Sequence, residues 1–190
     1  MRTPIPLSFR SVPMGQEPAW SLVEAMREEM AGLYDGLLLD APDMPQSGPD
    51  ELGPPAGAFL VGYDEGETPV CCGGVNGLGA GACEMKRMYV IPSARRMGRA
   101  RELLLALEGA ARELGYEIAR LDTGPRQPHA ERLYREAGYA PIANFNRNPV
   151  ASFFGEKRAV RGQRFSRRER RSLVPQTGVP PRGFEPRFPP

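Results

Sequence analysis

The chain has 190 residues, 41% of them apolar and 25% charged, with a net charge of +2 at pH 7. That size and composition describe an ordinary globular protein that buries its own core as one domain, with room for an appendage, and needs no metal or disulfide to hold it. No apolar run reaches the ~20 residues of a membrane span, residues 1–15 lack the apolar stretch of a secretory signal, and three cysteines with one histidine make neither a disulfide framework nor a usual zinc site; the expectation is a cytoplasmic protein with no membrane contact and no metal.

In chain order, residues 7–13 (LSFRSVP) read as a first strand. Residues 17–34 read as an amphipathic helix with Trp20, Val23, Met26, Met30 and Leu33 at helical spacing. Residues 37–57 carry proline and glycine at turn density and read as a long loop, either functional or slack. Residues 58–64 and 68–75 form a strand–turn–strand hairpin, 76–81 (NGLGAG) another turn, and 82–90 (ACEMKRMYV) a third strand. Strict alternation along that strand puts Glu84, Lys86, Met88 and Val90 on one face, and Met85, Arg87 and Tyr89 on the other. Cys71, Cys72 and Cys83 read as small buried hydrophobes on these strands.

Pro92 closes the third strand. A helix follows, with Leu103, Leu104, Leu107, Ala110, Ala111 and Leu114 on one stripe and Gly115 at its end. Residues 116–123 form the next strand, 129–138 a short helix, and 139–145 and 151–159 the closing strands. The order β-α-β-β-β-α-β-α-β-β implies a mixed α/β or α+β protein, with a mixed sheet and helices on its faces. Residues 1–159 make this domain. The tail, residues 160–190, is arginine- and proline-rich without apolar period and is expected to be disordered. Charge divides the same way: residues 1–154 sum to −5 and residues 155–190 to +7.

The segment between the third strand and the next helix, ARRMGRA (94–100), is followed by Arg101. Arg95, Arg96, Arg99 and Arg101 crowd a helix start, where the dipole is already positive. Free N–H groups converge there, and Gly98 lets a ligand approach the backbone, so the turn reads as an anion site sized for a pyrophosphate with a further phosphate. A solvated arginine-rich helix start is the alternative.

Two blocks carry a resemblance. Arg95-x-x-Gly98-x-Ala100, directly after the central strand, is similar to the signature of the GNAT superfamily of acyl-CoA N-acyltransferases. Ala130, Leu133, Tyr134, Gly138 and Tyr139 match the family's second block, and the likeness runs from about residue 58 to 158. Arg96 and Arg99 depart from the glycine and aliphatic residues common there, and Gln127 replaces an asparagine. The resemblance implies a central, mostly antiparallel sheet with helices on both faces, and transfer of an acetyl group from acetyl-CoA to an amine by direct attack. It implies that Arg95, Arg96, Met97, Gly98, Arg99, Ala100 and Arg101 hold the coenzyme pyrophosphate. Met88, Tyr89 and Val90 would pair with the pantetheine arm, the Met88 N–H would polarise the thioester carbonyl, and Gln127 would reach the pantetheine amide. Tyr134 would protonate the departing thiolate and Glu84 would be the general base. Packed or surface roles for both residues are the alternatives. His129 reads as a surface residue at a helix start.

The implied partner is a small-molecule or peptide amine, and a homodimer is one assembly open to the chain, whose oligomeric state the sequence does not fix. Glu28, Glu29, Asp35 and Asp40 make the acceptor region acidic, which would favour a cationic amine. Two other readings stand beside transfer. One is a module that binds acyl-CoA without transferring the acyl group. The other is nucleic-acid binding through residues 157–171, where eight basic residues face one acid and only Phe165 could stack.

Overall fold

Apolar runs broken by glycine-rich turns fold residues 58–90 as an antiparallel meander. In the computed structural model, which describes residues 5–158, this meander is the centre of a seven-stranded sheet. The strands are β1 (Ser8–Ser11), β2 (Ala58–Tyr63), β3 (Pro69–Gly79), β4 (Ala82–Val90), β5 (Ile118–Thr123), β6 (Ala140–Pro141) and β7 (Phe153–Arg158). They lie in the order β1-β2-β3-β4-β5-β7-β6. Every neighbouring pair is antiparallel except β4–β5. That pair is parallel because a crossover helix joins its strands. The expected tail, residues 160–190, lies outside the described residues, as does all of the basic run 157–171 beyond Arg158. Among the described residues, no helix is long and apolar enough to cross a membrane.

Helices cover both faces. On one, Leu103, Leu104 and Leu107 of α2 (Arg99–Glu113) pack on Cys71, Val75, Met85 and Leu121, joined by Tyr134 of α3 (Pro128–Glu136). On the other, Val23, Met26 and Met30 of α1 (Ala19–Leu33) pack on Phe59, Val61, Cys72 and Tyr89. Gly73 lets α2 lie close, since a Cβ there would stand 2.9 Å from Leu107 Cδ1.

Four expectations change. Trp20 is 42% exposed, and Ala19 and Leu22 take its place in the core. Residues 76–79 continue β3 rather than turning. The first closing strand shrinks to Ala140–Pro141. The fourth change is the alternation along β4. Pairing with β3 shifts between Cys72↔Tyr89 and Gly74↔Lys86, and Arg87 takes φ +56°. This bulge inserts one residue and reverses the faces beyond it. Met88 therefore packs with Met85 in the α2-side core, while Tyr89 faces α1.

The bulge also opens the sheet. β4 and β5 pair only at Ala82↔Ile118, Cys83↔Ala119 and Glu84↔Arg120. Beyond Glu84 the two strands run on without pairing and leave a fork.

Leu107 is fully buried under this fold. Leu107→Ala is expected to lower unfolding free energy by about 2–5 kcal/mol, read as a lower midpoint in denaturant titration with unchanged slope.

Candidate functional site

One cavity of about 1020 Å³ occupies the fork and is lined from both sides of the sheet. It has room for an extended cofactor-sized ligand and a second molecule beside it. The strand geometry gives it polar walls. Ile91 N donates to Val70 O at 3.0 Å, so by alternation Met88 and Val90 turn their N–H and C=O toward the fork. Val90 O accepts from Arg95 Nε at 2.8 Å.

At the mouth stands the arginine turn. Pro92–Ala94 form a single 3-10 turn, and α2 begins after Gly98, whose φ of +80° suits glycine. Among the described residues no side chain caps this helix start, which leaves its first N–H groups directed outward. The four arginines divide into two kinds. Arg95 bends back to Glu29 (2.5 Å) and lies over the Tyr89 ring. Arg99 is 8% exposed and bonds Glu102 (2.9 Å) and the Ile5 carbonyl (2.8 Å), while Leu7 N donates to Glu102 at 2.7 Å. The side chains of Arg95 and Arg99 are thus each paired with a carboxylate. Arg96 and Arg101 are exposed and make no ion pair among the described residues. Arg95, Arg96, Gly98, Arg99, Ala100 and Arg101 all line the cavity; Met97 does not, and its side chain is exposed.

Deeper in, Tyr134 is 7% exposed and its hydroxyl donates to Met88 Sδ at 3.7 Å. Burial is the main cause, with the Asp122 charge second, that pushes the phenol well above its ordinary range. It stays protonated. Gln127 lines the cavity and its Oε1 accepts from Thr123 Oγ1 at 3.3 Å. His129 is exposed at the start of α3.

Glu84 stands elsewhere than the sequence suggests. It is 2% exposed and is not on the cavity wall. Its Oε1 takes an ion pair from Lys86 Nζ (2.9 Å) and a hydrogen bond from Asn146 Nδ2 (2.6 Å). Burial raises its pKa and Lys86 opposes the rise. Three carboxylates do line the cavity: Glu29 and Glu136, held by Arg95 and Arg132, and Asp122 at the end of β5. Asp122 takes Lys86 Nζ at 3.3 and 3.4 Å, Asn146 Nδ2 at 2.7 Å and Asn148 Nδ2 at 2.9 Å. Sequence reasoning missed this cluster because its members come from β4, β5 and the 142–152 loop, and no local spacing joins them.

The acidic acceptor region is also corrected. Glu29 pairs with Arg95, Asp35 with Arg126, and Asp40 with both Arg27 (2.6 Å) and Arg87 (2.5 Å). Glu28 is exposed, off the cavity wall. Arg87 also reaches the Ser47 carbonyl at 3.4 Å, fastening the 37–57 loop to β4. That loop is no slack connector, for Met44, Ser47 and Leu52 are buried.

Residues 22–139 match the sequence profile of the acetyltransferase (GNAT) family. An uncharacterized N-acetyltransferase of Schizosaccharomyces pombe is 36% identical over 101 residues, covering 53% of this chain and 62% of that protein. The chain thus spans less than two thirds of that relative. An IAA acetyltransferase of Azospirillum brasilense is 31% identical over 142 residues, covering 73% of this chain and 89% of its own. Among solved structures, the PaiA N-acetyltransferase of Thermoplasma acidophilum, in complex with coenzyme A, shares the fold. Its TM-score is 0.58 at 16% identity, over 81% of this chain and 99% of that one.

The Glu84 environment sets a pH dependence. A carboxyl whose folded pKa is raised binds protons more tightly folded than unfolded, so its contribution to stability falls as pH rises from the unfolded value through the folded one. Wild type is therefore expected to lose stability relative to Glu84→Gln as pH rises from about 4 to 7, by ~1.4 kcal/mol for every tenfold difference in proton affinity. Urea unfolding of both proteins across that range checks the sign.

Proposed function

This chain belongs to the acetyltransferase (GNAT) family, and on that premise we propose that it transfers the acetyl group of acetyl-CoA directly to a primary amine. The observation that carries the proposal is the fork. It puts outward-turned strand backbone, a helix start with no side-chain cap and two arginines without ion pairs among the described residues, and a buried protonated phenol on one cavity wall. These are what a thioester with a pyrophosphate tail requires.

In this reading the N–H groups at residues 96–100 hold the pyrophosphate, with the Arg96 and Arg101 side chains adding charge. Arg95 and Arg99 act by shaping the turn. Met88 and Val90 pair with the pantetheine arm and Tyr89 supports them, packed against α1. The Met88 N–H stabilises the negative charge that grows on the thioester oxygen, and Gln127 orients the arm. The amine nitrogen bonds the acetyl carbon as the carbon–sulfur bond breaks. Tyr134 gives its proton to the departing sulfur and regains one from the amine after attack, directly or by water.

The acceptor ammonium must first lose a proton. Glu84 is the proton sink in this scheme, reached through Lys86, which alone of that pair lines the cavity. Lys86 passes a proton to Glu84 and takes one from the ammonium. The surroundings that hold Glu84 above the ordinary carboxylate range suit it to that task. A cytoplasmic location fits a coenzyme substrate of this kind.

Titration calorimetry with acetyl-CoA, paired with thiol release in the presence of amines, tests the scheme. Arg101→Ala is expected to weaken acetyl-CoA binding by about tenfold, the loss of one charge-assisted phosphate contact. Tyr134→Phe is expected to lower kcat by about 10²-fold or more while leaving acetyl-CoA affinity within twofold. Binding retained with no turnover in wild type against any amine would favour the module that binds without transferring.

A further inference from the structure

The charges around the cavity specify what kind of amine it takes. Three of the four acidic residues of the acceptor region are consumed by arginines: Glu29 by Arg95, Asp35 by Arg126, and Asp40 by Arg27 and Arg87. The fourth, Glu28, does not reach the wall. Only the cluster at the fork keeps a surplus. There Glu84 and Asp122 share the single ammonium of Lys86, with Asn146 and Asn148 donating neutral hydrogen bonds. Arg120, paired opposite Glu84 on β5, is engaged with Glu156. With both carboxyls ionised, the cluster carries one negative charge too many. A buried charge without a partner is costly, and one cation at Asp122 removes that cost.

Away from Asp122, on the α1 side, the wall is apolar. Met26, Met30, Tyr34, Leu37, Leu39 and Met44 form it. A second ammonium placed there would lose its water and find only Glu29, a carboxylate already neutralised by Arg95. A carboxylate would fare no better, because Arg87 is already bound by Asp40 and the Ser47 carbonyl. The methionines are flexible enough to fit apolar bodies of different shape.

We propose that the acceptor is a monoamine with an apolar body and no second charge, its ammonium seated on Asp122 and its body against the methionine and leucine wall under α1. This rests on the acetyl-transfer reading above and narrows it. Asp122 is here a binding residue for the acceptor, next to Lys86, which then draws off the proton.

The test uses the full chain, acetyl-CoA and three probes: 2-phenylethylamine, n-hexylamine and spermidine. Thiol release is expected to give both monoamines a kcat/KM about tenfold or more above spermidine. Asp122→Asn is expected to raise the monoamine KM by about tenfold, with acetyl-CoA affinity within twofold of wild type by calorimetry. Met30→Glu, which adds a carboxylate to the apolar wall, is expected to shift preference toward spermidine. Its direction of change would not follow from a folding defect. Spermidine equal to or better than the monoamines overturns the inference, as does an unchanged monoamine KM in Asp122→Asn. Acetyl-CoA binding with no monoamine turnover also overturns it, and leaves the coenzyme site standing. Absence of acetyl-CoA binding overturns the acetyl-transfer reading itself, and the inference with it.

Discussion

The bulge at Arg87 is the constraint on which the site depends. A regular β4 would pair with β5 along its whole length, and its backbone would be spent on the sheet. One extra residue bends the strand, ends the pairing at Glu84 and frees the backbone beyond it. A left-handed φ on a non-glycine residue is unfavourable by roughly 1–2 kcal/mol, so something must hold it. Arg87 supplies that through its own side chain, which bonds Asp40 and the Ser47 carbonyl. The same contacts fasten the 37–57 loop over the α1 side of the cavity. Local strain, loop position and acceptor wall therefore share one residue.

The arginine-rich helix start shows a division of labour that charge alone hides. Arg99 is buried under the N-terminal segment, tied to Glu102 and to the carbonyl of Ile5. Arg95 ties the turn to α1 through Glu29 and rests on Tyr89. Each is compensated by a carboxylate, so neither adds much net repulsion to the helix dipole. Arg96 and Arg101 remain against the dipole, exposed and unpaired among the described residues. Their position is unfavourable for an empty helix and favourable beside phosphates.

Much of the fold could be read from local pattern. The β4 boundaries, the leucine stripe of α2 and the order of strands and helices are set by short-range periodicity, and the structure has them where periodicity puts them. The turn around Gly98 was legible because glycine and arginine at a helix start have few other uses. What escaped was non-local. The bulge arises from pairing with β3, and nothing within ACEMKRMYV marks it. Trp20 follows helical spacing yet faces water, because α1 lies on the sheet through Ala19 and Leu22. Glu84 holds the general-base position that the family resemblance implies, but Asn146 and Lys86 enclose it and Asp122 reaches the wall instead. The acidic residues of 28–40 looked like a cation site until their arginine partners, distant in sequence, were in place.

The central claim is that the opened edge of β4 receives the thioester arm while the start of α2 receives the phosphates. Residue-resolved amide hydrogen exchange with and without saturating acetyl-CoA tests it most directly. The account predicts new protection at Met88 and Val90, together with slowed exchange at Gly98 and Ala100. Saturable binding that leaves those four amides unchanged, with protection appearing elsewhere, would contradict it.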